Sequence, residues 1–122
     1  MELTAEQKQF IYNNFYEGLH ESELDKQKFN LLSTPHELHY LADKHNWDDG
    51  ITLLQWIAES DICSEATALE LFWLAQPQDY QSYKLSQELT GKYQSYENDI
   101  FTLIKTIYTN YQNSFYKQTD IH

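Results

Sequence analysis

Apolar residues recur along this chain at intervals of three and four, the spacing that places them on one face of an α-helix. The first such stripe predicts a helix over about residues 5–20. It follows a Thr4-Ala5-Glu6-Gln7 block with the form of a capping box, in which the side chains of Thr4 and Gln7 satisfy free backbone amides. Residues 21–32 are more polar and predict at most a shorter helix.

A second start signal lies where Thr34 can cap a helix, proline takes its first position and Glu37 completes a capping box. The apolar stripe behind it predicts a helix over about 35–44. A turn at residues 45–50 follows, and then a further helix that ends near residue 59.

The most apolar stretch of the chain begins after Ser64, which can cap it, and covers residues 65–75. A helix that is apolar nearly all round belongs in the middle of a fold. Two more helices are predicted, near 78–90 and near 92–117, with the end of the chain from Tyr116 onward expected to fray.

Glycine and proline are scarce, and aromatic residues make up 16% of the 122 residues, which argues against both a many-stranded sheet and disorder. The sequence therefore predicts one all-α domain over residues 1–122, a bundle of five or six helices with the 65–75 helix at its centre. A single cysteine, no signal peptide and no apolar run of membrane-spanning length favour a cytoplasmic protein.

Charge narrows the possible partners. The chain has 19 acidic residues, 8 lysines and no arginine, which disfavours binding to nucleic acids and to anionic membranes. The excess of negative charge is concentrated in residues 35–80, which contain nine carboxylates and one lysine, Lys44, for a net charge of −8. Such a concentrated negative charge suits a basic protein partner.

The spacing of two histidines makes a metal site one possible interpretation. His36 and His39 are three residues apart, so they share one helical face, and Asp43 lies one turn further. This spacing differs from the metalloprotease motif, which needs histidines four apart. Because nothing in the sequence fixes a third ligand, we expect no metal site and no cofactor.

Other candidate groups have structural interpretations that we prefer. Cys63 lies between Asp61 and Glu65, whose charges oppose a reactive thiolate, so a buried packing role is expected. Asp48 and Asp49 could bind Ca²⁺, but no further ligand alternation follows them, and one of them is expected to cap the next helix.

Some of the aromatic residues are expected in the core and others on the surface. We expect the three tryptophans to pack in the core rather than to form a ligand box: Trp47, Trp56 and Trp73. Three tyrosines off the C-terminal stripe are expected on the surface: Tyr83, Tyr108 and Tyr116.

Part of the chain resembles a known family. The matching blocks are Glu37-Leu38-His39 with Leu41 and Ala42, Asn46-Trp47-Asp48-Asp49-Gly50, and Ala68-Leu69-Glu70-Leu71-Phe72-Trp73-Leu74-Ala75 before Pro77. Over about residues 35–80 they resemble the bacterial domain-of-unknown-function family 4274. The resemblance implies a small, mostly helical protein and, since some members are encoded near secreted toxins, an immunity or accessory role. It supplies no catalytic residues.

Together these observations predict a non-enzymatic immunity-type protein that neutralises a cognate toxin through its acidic surface. The candidate contact residues are Glu37, Asp43, Asp48, Asp49, Glu59, Asp61, Glu65, Glu70 and Asp79. One alternative is an adaptor module that docks helices through an aromatic C-terminal face containing Tyr108 and Phe115. Another is a metal-dependent enzyme that uses His36, His39 and Asp43.

Overall fold

The computed structural model describes residues 2–77 and 95–118. In these ranges the chain forms six α-helices: α1 (Ala5–Asn14), α2 (Lys26–Phe29), α3 (Pro35–Lys44), α4 (Thr52–Glu59), α5 (Glu65–Leu74) and α6 (Ser95–Gln112). Short 3-10 turns cover Glu21–Glu23 and Trp47–Asp49, and the described ranges contain no β-strand. The all-α prediction is confirmed, whereas the helix predicted near 78–90 lies outside the described residues.

Three helices begin where the sequence predicts, because their caps are local. Thr4 accepts a hydrogen bond from the Gln7 amide at 3.1 Å, and the Gln7 side chain accepts one from the Thr4 amide at 2.7 Å. Thr34 and Glu37 form the same reciprocal capping box at the start of α3. Ser64 caps α5 by accepting from the amide of Thr67 at 3.1 Å.

Helix α1 is shorter than predicted. It ends at Asn14 rather than near residue 20, and the Asn14 side chain donates to the carbonyl of Phe10 at 2.8 Å. Phe15 then leaves helical geometry and is buried, and Gly18 adopts a φ of +92°. At this turn Phe15 packs edge-on against Phe29 in the core.

The core lies where α4, α5 and α6 pack against one another, with α3 against α4 and α5. Its fully enclosed side chains come from these four helices and the segments that join them, and they include Leu38, Leu41, Leu54, Ile57, Leu71, Leu103 and Ile107. The central position predicted for residues 65–75 holds for Ala68 and Leu71. At the end of α5, however, Trp73 is 66% exposed and Leu74 is 56% exposed, so Trp73 is not the core residue predicted.

The start of α4 corrects another prediction. Neither Asp48 nor Asp49 caps this helix; the carboxylate of Glu21, 31 residues away in sequence, accepts from the Thr52 amide at 2.8 Å. Asp49 instead accepts from the amide of Gly18 at 2.7 Å. Two carboxylates thus tie the loop after α1 to the turn before α4.

Tyr116 and Lys117, which follow α6, are held against the rest of the fold, while residues 119–122 of the end predicted to fray lie outside the described residues. Ser114 has a positive φ of +55°, which reverses the chain, and Tyr116 becomes buried with its hydroxyl donating to the Ala58 carbonyl at 2.7 Å. The backbone of Lys117 pairs with Cys63 and Glu65 across a single parallel bridge. The expectation that Tyr116 is exposed and frays is therefore wrong, because the chain reversal supplies it with a buried acceptor.

Candidate functional site

A histidine and two carboxylates meet between α3 and α5. The Nε2 atom of His39 lies 3.4 Å from Asp43 Oδ2, one helical turn away, and 3.6 Å from Glu70 Oε2 on the other helix. One donor atom from each of the three residues lies within 4.8 Å of the others. Asp43 is exposed, while His39 and Glu70 are half-buried, so the cluster opens to solvent on one side.

A hydrogen bond to the ring nitrogen that faces away from the carboxylates fixes the orientation of the His39 imidazole. Its Nδ1 atom lies 2.9 Å from the Thr67 hydroxyl, which in turn lies 2.9 Å from the Ser64 hydroxyl. Thr67 and Ser64 are both fully buried. With Nδ1 held by Thr67, the other ring nitrogen, Nε2, faces the two carboxylates.

The two carboxylates of the cluster affect each other. Partial burial raises the pKa of Glu70 above its ordinary value, and the negative charge of Asp43 raises it further. His39 acts in the opposite direction on this pKa but does not cancel the shift. The cluster therefore holds more negative charge in a small volume than its own histidine neutralises.

The sequence anticipated only part of this arrangement. His39 and Asp43 are in the metal set proposed above, but His36 does not belong to the cluster, and Glu70 takes its place. Glu70 was expected only as a contact residue for a partner. No local signal joins it to His39, because the packing of α3 on α5 brings them together.

Two of the nine predicted contact residues perform structural tasks. Glu37 is buried, and its carboxylate accepts from the amides of Ser33 and Thr34 at 3.2 and 3.1 Å. A partner cannot reach Glu37 in this conformation, so Glu37 is not a contact residue. Asp49 is half-buried and committed to Gly18, as described above.

The other carboxylates of the set are more accessible. Asp43, Asp48, Glu59 and Asp61 are exposed, Glu70 is half-buried, and Glu65 is half-buried and accepts from the Gln118 side chain. Asp79 lies outside the described residues. Among the side chains that the structure describes, no carboxylate comes within 4.0 Å of a lysine amine.

Several lysines contact aromatic rings instead. The Lys26 amine lies 4.8 Å from the centre of a Trp56 ring, and those of Lys8 and Lys44 lie 5.9 and 5.5 Å from the Tyr40 ring. These cation–π contacts hold the amines over the rings. The exposed carboxylates of the middle third thus have no lysine partner among the described side chains.

Acidic residues outside the middle third add to this surface. Asp99 of α6 lines a groove with Gln55, Trp56 and Glu59 of α4. Partial burial raises the pKa of Asp99, and the charge of Glu21 raises it further. Sequence reasoning missed Glu21 and Asp99 as parts of the acidic surface because the fold, rather than sequence proximity, brings them to α4.

The remaining candidate groups are structural or apart from the cluster. Cys63 is fully buried, which raises the pKa of its thiol to about 12, so the expected packing role fits its surroundings. Asn46 caps the turn that contains Asp48 through the Asp48 amide at 3.0 Å. Tyr108 is 42% exposed, as predicted. Tyr83 lies outside the described residues.

Comparison with known proteins places the chain in a family. The model of the domain of unknown function DUF4274 matches residues 33–112, about two thirds of the sequence. The chain belongs to the DUF4274 family. Neither the curated proteins nor the solved structures include a match to it.

The DUF4274 match includes the whole histidine–carboxylate cluster. It begins at Ser33, next to the cap of α3, and ends at Gln112, the last residue of α6. Glu21, which caps α4, and Tyr116, which packs on α4, lie outside the match. None of the helices within the described ranges combines the length and hydropathy needed to cross a lipid bilayer.

Proposed function

We propose that this DUF4274 protein is a cytoplasmic, non-enzymatic protein of the immunity type, which binds a basic surface of a cognate bacterial toxin and neutralises it. The observation that carries the proposal is that the described carboxylates lack lysine partners. The chain has a net charge of −11, and among the described side chains no carboxylate has a lysine partner within 4.0 Å.

Surface charges without an oppositely charged lysine nearby favour association with a partner more than they stabilise the fold. Exposed ion pairs within a protein weaken the field outside it, whereas unmatched carboxylates leave a negative potential that attracts a basic partner over about one Debye length, roughly 8–10 Å. A toxin that acts on nucleic acid needs a cationic cleft, which such a surface complements. Covering that cleft neutralises the toxin without any catalytic step.

The exposed carboxylates at the two ends of α4 are the best candidates for contact. Glu59 lies at the end of α4, Asp61 follows in the loop to α5, and Asp48 lies in the turn before α4. All three are exposed, and among the described residues only the Glu59 carboxylate accepts a hydrogen bond, from the Gln55 side chain at 3.1 Å. Their charges are therefore accessible to a partner.

Co-expression with the product of the adjacent gene tests the proposal. We expect a complex that survives purification, and an association rate that falls at least about 10-fold between low and high salt. The triple variant Asp48→Asn, Glu59→Gln, Asp61→Asn should slow association. The absence of a complex, or an association rate insensitive to salt, would refute the proposal.

A matched control separates local from overall charge. The triple variant Glu2→Gln, Glu6→Gln, Glu17→Gln removes the same number of charges from exposed positions in the N-terminal region. We expect it to slow association less than the variant of the middle third. Equal effects would show that overall charge, rather than the proposed surface, governs binding.

The adaptor function has one observation in its favour. Tyr108, Tyr111 and Phe115 are 42%, 49% and 37% exposed near the end of α6, and exposed aromatic side chains are common at protein interfaces. For this function, Tyr108→Ala with Phe115→Ala abolishes binding, while the charge variant of the middle third leaves it intact. Tyr12→Ala, which truncates an exposed tyrosine on α1, is the control.

A further inference from the structure

We propose that His39, Asp43 and Glu70 bind one divalent transition-metal ion, with Zn²⁺ as the preferred ion, between α3 and α5. The proposal concerns binding and does not depend on the immunity function. It assigns the Nε2 atom of His39 and one carboxylate oxygen from each acidic residue as the three protein ligands.

The distances from His39 Nε2 to the two carboxylate oxygens are close to those expected around a tetrahedral ion. With metal–ligand bonds of roughly 2.0–2.1 Å, two ligands of a tetrahedral Zn²⁺ lie about 3.3–3.4 Å apart. Nε2 of His39 lies 3.4 Å from Asp43 Oδ2 and 3.6 Å from Glu70 Oε2. A charge-assisted hydrogen bond would be shorter, about 2.7–2.9 Å. Nε2 of His39 therefore lies at ligand-like distances from both carboxylate oxygens, and all three donor atoms lie within 4.8 Å of one another.

The surroundings of His39 support the same assignment. A metal-binding histidine usually uses its second ring nitrogen in a hydrogen bond that fixes the orientation of the ring. Here Nδ1 lies 2.9 Å from the Thr67 hydroxyl, and the Ser64 hydroxyl holds Thr67 in turn. Both hydroxyls are fully buried, so the support behind the ring is rigid.

The charges of the cluster also favour a cation. Two carboxylates face one imidazole, and no described lysine lies within 4.0 Å of either. A divalent ion between Asp43 and Glu70 would offset the repulsion between their two carboxylates. One imidazole with two carboxylates suits Zn²⁺ better than Mg²⁺ or Ca²⁺, which prefer oxygen ligands throughout.

The site has room for a further ligand. Asp43 and Glu70 have side-chain exposures of 49% and 39%, so an ion held by three protein ligands would keep at least one position open to solvent. Water, or a group from a partner, would occupy that position. Such openness lowers affinity relative to a closed structural site, so we expect a Kd on the order of micromolar.

Titration of the full chain with ZnCl₂ tests the proposal, after removal of any purification tag and treatment with a chelator. We expect one saturable site by calorimetry. His39→Ala and the nearly isosteric Glu70→Gln should each weaken Zn²⁺ binding at least about 10-fold, with the circular dichroism spectrum unchanged. Thr67→Val should weaken it by roughly 10- to 100-fold, because it removes the support of the ring without removing a ligand.

His36→Ala provides the matched control, since it removes a half-buried histidine from the same helix but not from the cluster. We expect its Kd for Zn²⁺ to stay within about twofold of the parent value. The proposal is overturned if no saturable binding occurs up to about 1 mM Zn²⁺. It is also overturned if Glu70→Gln binds as tightly as the parent, or if His36→Ala weakens binding as much as His39→Ala does.

Discussion

Replacement of Gly50 by alanine should damage the junction between the loop after α1 and the start of α4. Gly50 has a φ of +112° and a ψ of 170°, a region that is almost exclusive to glycine. A Cβ atom at this position would overlap the side chain of Glu21. Because the Glu21 carboxylate accepts from the Thr52 amide at 2.8 Å, moving it aside breaks the cap of α4.

The cost can be estimated from its two parts. A non-glycine residue in this backbone region costs about 1–3 kcal/mol. A lost hydrogen bond to a charged group adds roughly 1.5–3 kcal/mol. Gly18→Ala is the control, because Gly18 also has a positive φ, +92°, but an added Cβ meets no atom within 4 Å. We expect Gly50→Ala to lower the free energy of unfolding by about 2.5–6 kcal/mol and Gly18→Ala by about 1–3 kcal/mol.

Urea denaturation of a double-mutant cycle with Glu21→Ala measures the two parts separately. In the Glu21→Ala background the overlap is gone, so Gly50→Ala should cost only the backbone strain, close to the cost of Gly18→Ala. Strict additivity of Glu21→Ala and Gly50→Ala would refute the coupling. A Gly50→Ala variant no less stable than Gly18→Ala would refute it as well.

Tyr116→Phe should lower the free energy of unfolding by about 0.5–1.5 kcal/mol, since it removes the hydrogen bond to Ala58, while Tyr108→Phe at an exposed site should have no measurable effect. The thiol of Cys63, whose pKa burial raises to about 12, should resist alkylation in the native protein at about pH 8 and react once urea unfolds the chain; rapid native-state labelling would contradict its burial. Glu70 binds its proton more tightly in the folded state than in the unfolded chain, so its stabilising contribution is present at low pH and is lost as pH rises through its folded pKa. Without metal, the stability of Glu70→Gln relative to the parent should therefore increase between about pH 4 and pH 7, as measured by urea denaturation, and a constant difference would contradict the raised pKa.

The starts of α1, α3 and α5 were predictable because each depends on residues three positions apart. The capping box of Thr34 and Glu37 and the cap at Ser64 were both found from the sequence, and α3 has the predicted bounds, Pro35–Lys44. The end of α1 was not predicted correctly, because α1 ends where Phe15 enters the core rather than where its apolar stripe ends. Local chemistry sets the caps of α1, α3 and α5, whereas tertiary contacts set the end of α1 and the start of α4.

The same distinction explains which site residues were found. His39 and Asp43 share a helical face, so their proximity follows from sequence spacing alone. Glu70 joins them from α5, and Glu21 reaches Thr52 over 31 positions, through contacts that no periodicity encodes. Charge composition identified the acidic middle third but could not show that Glu37 would be buried as part of a cap.

Occupancy of the cluster would change how the acidic surface meets a basic partner. Asp43 and Glu70 belong both to the proposed metal ligands and to the predicted contact residues, so a bound divalent ion would cancel two negative charges there. By linkage, if Zn²⁺ weakens partner binding, the partner must weaken Zn²⁺ binding by the same factor. We therefore expect saturating Zn²⁺ to slow association of the parent protein with its partner but not that of His39→Ala, measured at one ionic strength by stopped flow. Faster association with Zn²⁺ would instead mean that the open coordination position binds a group of the partner, so that the ion bridges the two proteins.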